Sequence, residues 1–133
     1  MGRVVLDTSI LIALEKQQLS LKELFNKDLN VYLPEVAVGE YLVGTELSTN
    51  PKFKEKRLAF LRTIEDFSEL VVFNREHAHN FAKLVAQAKL LGRPRGAIDL
   101  AIAASAVTLD AVLYTRDSKG KFDQLIGLTV KEF

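Results

Sequence analysis

Short apolar or β-branched runs alternate with stretches of helical period along the whole chain, and this alternation restricts the fold more than any other feature. Val4-Val5-Leu6 reads as a buried strand. Val31-Tyr32-Leu33, Leu70-Val71-Val72-Phe73 and Val112-Leu113-Tyr114 repeat the signal, and Thr129-Val130 is a weaker last one. The intervening segments have helical spacing. Ile10, Leu11, Leu14 and Leu19 follow a cap at Thr8 or Ser9, and a short helix is predicted over 21–25. Pro34 suits the first turn of a helix running to about residue 47, because its missing N–H costs nothing there. Asn50-Pro51 breaks the chain, and a charged helix follows with Phe53, Leu58, Leu61 and Ile64 inward. A long helix is predicted over 75–91, then a Gly/Pro/Arg loop over 92–96. The Ala-rich stretch 97–109 should be a helix buried on most sides. The expected fold class is α/β, with a central, mainly parallel sheet of about five short strands covered on both faces. At 133 residues, with no repeat or linker, the expectation is one domain spanning 1–133.

Composition narrows the chemistry. There is no cysteine, which excludes disulfides, thiolate zinc sites, iron–sulfur clusters and cysteine nucleophiles. Apolar stretches are interrupted by charge well short of a membrane span, and Met1-Gly2-Arg3 leads directly into a strand without signal-peptide architecture. A cytoplasmic protein with no membrane association is expected. A formal charge of +1 is not that of a protein gripping nucleic acid by bulk charge, so such contact would need local patches or a metal. Three patches exist: Lys52, Lys54, Lys56 and Arg57; Arg93 and Arg95; and Arg116, Lys119 and Lys121. The plain reading of the first is a solvated helix face.

Four carboxylates stand in apolar surroundings where a lone charge is costly. Asp7 ends Val4-Val5-Leu6, and Glu40 lies within Val36-Ala37-Val38-Gly39-Glu40-Tyr41-Leu42-Val43. Asp99 lies within Ala97-Ile98-Asp99-Leu100-Ala101, and Asp117 follows Val112-Leu113-Tyr114-Thr115-Arg116. Each also has a structural reading: Asp7 as a cap or Asx turn, Asp99 as a charge at a helix start, Asp117 as turn chemistry. Glu40 is harder to dismiss, because its neighbours three and four positions away are Val36, Ala37, Val43 and Gly44. Glu15, beside Lys16 in a polar stretch, needs no such explanation. Ligands of open parallel sheets bind beyond the carboxyl ends of strands, where Asp7 and Asp117 fall. A hard divalent cation with oxygen ligands is the simplest way to unite the four. Thr8, Ser9 and Thr115 are suited to orienting the acids. No phosphate-binding glycine loop is present, and His77 and His79, two apart, read as surface residues.

Val-Val-Leu-Asp7-Thr8-Ser9, the Glu40 helix, Arg95-Gly96-Ala97-Ile98-Asp99 and Leu113-Tyr114-Thr115-Arg116-Asp117 occur in order over nearly the whole chain. The ordered set resembles the PIN-domain ribonucleases, specifically the small VapC-type toxins of prokaryotic toxin–antitoxin pairs. The resemblance implies a three-layer α/β/α domain, Mg²⁺ or Mn²⁺ at an acidic cluster, and endonucleolytic cleavage of RNA. Residue by residue it implies Asp7, Glu40, Asp99 and Asp117 as metal-binding acids, with Asp123 competing for the last place. Arg93, Arg95, Arg116 and Lys119 become candidates to hold RNA phosphates, Arg95 also being placed for a salt bridge. It further implies an antitoxin covering the acidic groove, and a homodimer using helix surfaces near Leu42 and Phe60. Alternatives are an RNA-processing nuclease outside any toxin–antitoxin pair and a catalytically silent interaction module. A DNA or flap-type nuclease shares the acid chemistry. A receiver-type signalling domain fits poorly, since only one acid ends the first strand and Phe73-Asn74 follows the third.

Overall fold

A computed structural model describes residues 2–25, 28–93, 95–116, 122 and 124–133. Its elements are β1 (Gly2–Leu6), α1 (Thr8–Glu15), α2 (Leu21–Leu24), β2 (Leu29–Pro34), α3 (Glu35–Leu47) and α4 (Pro51–Asp66). They continue with β3 (Glu69–Val71), α5 (Arg75–Leu90), α6 (Ala97–Thr108), β4 (Val112–Thr115) and β5 (Thr129–Glu132). The strands form one sheet in the order β3-β2-β1-β4-β5, and every pairing is parallel. This is the α/β architecture that the alternation of runs predicts.

The order places β1 at the centre and creates a switch point beside it. The chain moves outward from β1 through β2 to β3, then crosses back to lay β4 on the other side of β1. Parallel strands need covered faces, and β1 shows both covered: Val4, Val5 and Leu6 alternate between faces, yet all are buried. Helix α6 closes one side with small side chains. Ala103, Ala104 and Ala106 are fully buried, letting its backbone lie close to β1 and β4. Among the described residues no helix is long and apolar enough to cross a membrane.

Several local expectations need correction. In α4, Leu61 and Ile64 are buried, but Phe53 and Leu58 are about 40% exposed, so only the second half of the helix reaches the core. The third strand stops at Val71, leaving Val72 and Phe73 outside it and exposed. Leu42 and Phe60 lean on the core; the exposed apolar positions of α3 are Val43 and Leu47.

His77 is not a surface residue. It is buried in the first turns of α5, with Nδ1 2.8 Å from the Oδ1 of Asn74 and its ring beside Phe73. Asn74 caps the same helix by accepting the His77 N–H at 3.1 Å. Sequence spacing separated His77 from His79 correctly, but it could not show which side of α5 meets the protein. Burial holds the imidazole below its ordinary value of 6.5, outweighing the opposite pull of Glu76. The unfolded chain therefore takes up a proton that the native state resists, so stability should fall as pH drops below about 6.5. Urea midpoints measured between pH 7.5 and 5 should decline in the wild type and decline less in His77→Gln. Equal slopes would remove His77 as the cause.

Candidate active site

The site is built outward from the end of β1. Asp7 is the first residue past the strand and is buried, 2% exposed. Its Oδ1 accepts the Ser9 hydroxyl at 2.5 Å and the Ile10 N–H at 3.2 Å, which makes Asp7 the N-cap of α1. Sequence spacing assigned that cap to Thr8 or Ser9. The cap lies one residue earlier because the helix starts as soon as the strand ends. A carboxylate at this position gains from the helix dipole as well as from its hydrogen bonds.

Ser9 ties the central strands together. Its only proton goes to Asp7, so in the 3.3 Å contact with Thr115 the threonine hydroxyl is the donor. The Arg116 N–H also donates to Ser9 Oγ, at 2.9 Å. The Asp7 N–H in turn donates to the Tyr114 carbonyl at 3.2 Å. The ends of β1 and β4, at the switch point, are thus stitched by the polar residues that the sequence singles out. Open parallel sheets bind ligands at such points.

Asp99 occupies the third position of α6 and is half-buried. Its carboxylate turns back over Gly96, where a Cβ would stand 3.2 Å from Asp99 Oδ2. Gly96 offers no side-chain cap, so the acid supplies the negative charge that this helix start favours. Glu40 is half-exposed on α3 and has no hydrogen bond or ion pair among the described residues. It lines a cavity of about 380 Å³ with Thr8, Ser9, Ile12, Tyr41, Gly44 and Arg57. Thr8 also lines this cavity, and its buried Oγ1 has no hydrogen-bond partner among the described residues. Helix α3 packs against both α1 and α6, the helices that start at Asp7 and Asp99.

The structure therefore brings Asp7, Thr8, Ser9, Thr115 and Arg116 into one cluster, and places Glu40 across a cavity from two of them. Arg116 is exposed, Arg93 and Arg95 are half-buried, and Arg95 has its Nε and Nη1 withdrawn from solvent. Asp117, Lys119 and Asp123 lie outside the described residues. A larger cavity, about 550 Å³, opens around Gly2, Arg3, Leu29, Asp110 and Lys131. Gly2 and Leu29 begin their strands, so this is the wrong end of the sheet for the usual ligand site.

Sequence reading missed three site-flanking residues. Arg57 is not part of a solvated basic face: its Nε donates to Glu15 Oε2 at 3.1 Å, and its side chain is 10% exposed. The Tyr41 hydroxyl donates to the same carboxylate oxygen at 2.7 Å. Glu15 thus anchors two helices rather than resting in a polar stretch. The one hint in the sequence is Gly44, a glycine inside a helix where alanine would be the better helix former.

The donor chemistry fits a hard divalent cation, since carboxylate and hydroxyl oxygens dominate this end of the sheet. Among the described residues, no three His, Asp or Glu side chains gather closely enough to hold an ion together. Mg²⁺ keeps several waters and is held by as few as one or two carboxylates, so the set fits that ion better than one needing a full protein cage. Asp7 and its neighbours would be the holders.

Comparison with known proteins gives a consistent answer. A PIN-domain family model matches residues 4–127. Ribonuclease VapC of Rickettsia bellii is 31% identical over 132 residues, covering 98% of this chain and 97% of that protein. Ribonuclease VapC1 of Rickettsia felis is 28% identical, covering 96% and 93%. Among solved structures, VapBC2 of Rickettsia felis bound to a promoter DNA fragment superposes with a TM-score of 0.87, at 21% identity and 98% coverage of both chains. VapBC-5 of Mycobacterium tuberculosis superposes with a TM-score of 0.80, at 25% identity and full coverage of both. With the Asp7 carboxylate and the Ser9 and Thr115 hydroxyls at the ends of β1 and β4, these likenesses make the chain a member of the PIN-domain family, within its VapC-type group.

Proposed function

We propose that the chain is a Mg²⁺- or Mn²⁺-dependent endoribonuclease and the toxin of a VapBC-type toxin–antitoxin pair. The observation that carries the reading is Asp7, a buried carboxylate held by Ser9 and Ile10 at the switch point of a parallel sheet. The curated relatives named Ribonuclease VapC support the activity, and the VapBC toxin–antitoxin structures support an antitoxin partner.

In this reading Asp7, Glu40, Asp99 and Asp117 hold the ion, directly or through water. The bound metal supplies Lewis acidity, which lowers the pKa of water and offsets charge developing on the phosphodiester. Asp7 is oriented by Ser9, which is itself fixed by the Arg116 N–H and by Thr115. Arg93, Arg95, Arg116 and Lys119 hold flanking phosphates, which lets a nearly neutral chain grip RNA locally. A homodimer would use the exposed side of α3 that carries Val43 and Leu47.

The test is cleavage of labelled single-stranded RNA by the purified chain. Internal cuts should appear with millimolar Mg²⁺ or Mn²⁺, vanish with EDTA, and be suppressed by a cognate antitoxin. RNA left intact in all metals would overturn the proposal. The same ions should raise the melting temperature. Ligand at roughly ten times its Kd adds about 1.4 kcal/mol, which for a chain of this size is several degrees. A melting temperature indifferent to metal would remove the metal site.

A further inference from the structure

We propose that Arg57, seated on Gly44, is a positioning residue for the acidic site: it fixes where Glu40 stands. The inference rests on the metal-site reading above and adds to it a residue on α4.

Gly44 lies four positions after Glu40, on the same face of α3, and both line the cavity shared with Thr8 and Ser9. A Cβ at position 44 would collide with Arg57 Nη1, so the absent side chain is the space in which the guanidinium rests. From that seat Arg57 contacts three helices. Nε donates to Glu15 of α1 at 3.1 Å, and Nη1 donates to the Tyr41 carbonyl of α3 at 3.3 Å. The guanidinium lies 3.9 Å over the Tyr41 ring, with the Phe53 ring of α4 5.5 Å away. The Tyr41 hydroxyl closes the ring of contacts on Glu15. Tyr41 is the residue next to Glu40, so locking its ring, hydroxyl and carbonyl fixes the backbone from which Glu40 projects.

The role is geometric rather than electrostatic. Arg57 is ion-paired with Glu15, so the pair brings no net charge to the cavity. What it supplies is planar, stacked, multiply bonded geometry that lysine cannot reproduce.

The experiment uses the full chain and Mn²⁺ as probe, with binding read by calorimetry and by the loss of the free-ion EPR signal. Gly44→Ala fills the seat, and Arg57→Lys keeps the charge but loses the fork. Alanine is the better helix former, so weakening in Gly44→Ala cannot be a helix defect. Both variants should keep the wild-type circular dichroism spectrum and bind Mn²⁺ roughly tenfold or more weakly, as expected when a supporting contact is lost. RNA cleavage should recover at high Mn²⁺. Lys52→Ala, exposed on the same helix, should match wild type in both assays. Folded variants that bind Mn²⁺ as tightly as wild type would overturn the proposal, and Arg57→Lys decides alone if Gly44→Ala does not fold. Wild type that binds Mn²⁺ with this dependence but cuts no RNA would sink the ribonuclease reading and leave the positioning role standing. Wild type that binds no Mn²⁺ would end the positioning role as well.

Discussion

Asp7→Asn should lose metal-dependent RNA cleavage by more than roughly a hundredfold, since changes merely behind a metal ligand already cost 10- to 100-fold. The fold should survive. Asparagine keeps an oxygen that can accept the Ser9 hydroxyl and the Ile10 N–H, and it is as good an N-cap as aspartate. What disappears is the charge. In EDTA the melting temperature should stay close to that of wild type, because asparagine keeps the cap and gives up only the carboxylate's attraction to the helix dipole. In Mn²⁺ the wild type should gain stability and the variant should not. Asp7→Ala separates the two roles of the residue: it loses the charge and the cap together, and should cost about 1 kcal/mol more than Asn. Cleavage by Asp7→Asn at the wild-type rate would end the assignment of Asp7, whatever the other acids do.

Leu33→Ala should have the opposite profile. Leu33 is fully buried on β2 and belongs to none of the clusters described for the site. Truncation leaves a cavity and should cost about 3 kcal/mol. That is a large share of the roughly 5–15 kcal/mol that holds a domain together, and should lower the melting temperature by about 10 °C. Cleavage per folded molecule should be unchanged at low temperature. Denaturant titration beside a single-temperature nuclease assay checks both halves. A variant of full stability would show that the core at Leu33 is not packed as described.

The contrast between these variants matches what could be read from the chain alone. Strand runs announce themselves through local composition, so the sheet and its parallel character followed from Val4-Val5-Leu6, Val31-Tyr32-Leu33 and Val112-Leu113-Tyr114. Asp7 was readable because a carboxylate directly after a buried strand is locally odd. Its second role as a cap was one of its structural readings, but spacing put the cap of α1 at Thr8 or Ser9, since that depends on where α1 begins to the residue. The Arg57–Glu15 pair spans 42 positions in sequence. Nothing local distinguishes Arg57 from Lys52, Lys54 and Lys56; only the packing of α4 across α1 and α3 does. His77 failed for a related reason. Helical spacing gives the angle between residues, but not which side of the helix meets Phe73 and the core.

Two features of the site reinforce one another. The Ser9 hydroxyl links Asp7 to the end of β4, so the joining of these strand ends and the orientation of the Asp7 carboxylate share the same bonds. The Arg57 clamp links α1, α3 and α4, so helix packing and the placement of Glu40 share theirs. Preorganisation of this kind costs nothing at the moment of reaction, which is where an electrostatic site gains its advantage.

The most direct measurement is an anomalous difference map from crystals of the wild-type chain grown in Mn²⁺. The expected result is a peak within coordination distance of the Asp7 and Asp99 carboxylates, with Glu40 reaching it directly or through one water. Mn²⁺ found only elsewhere, or no peak beyond the carboxyl ends of β1 and β4, would contradict the shared-cation site.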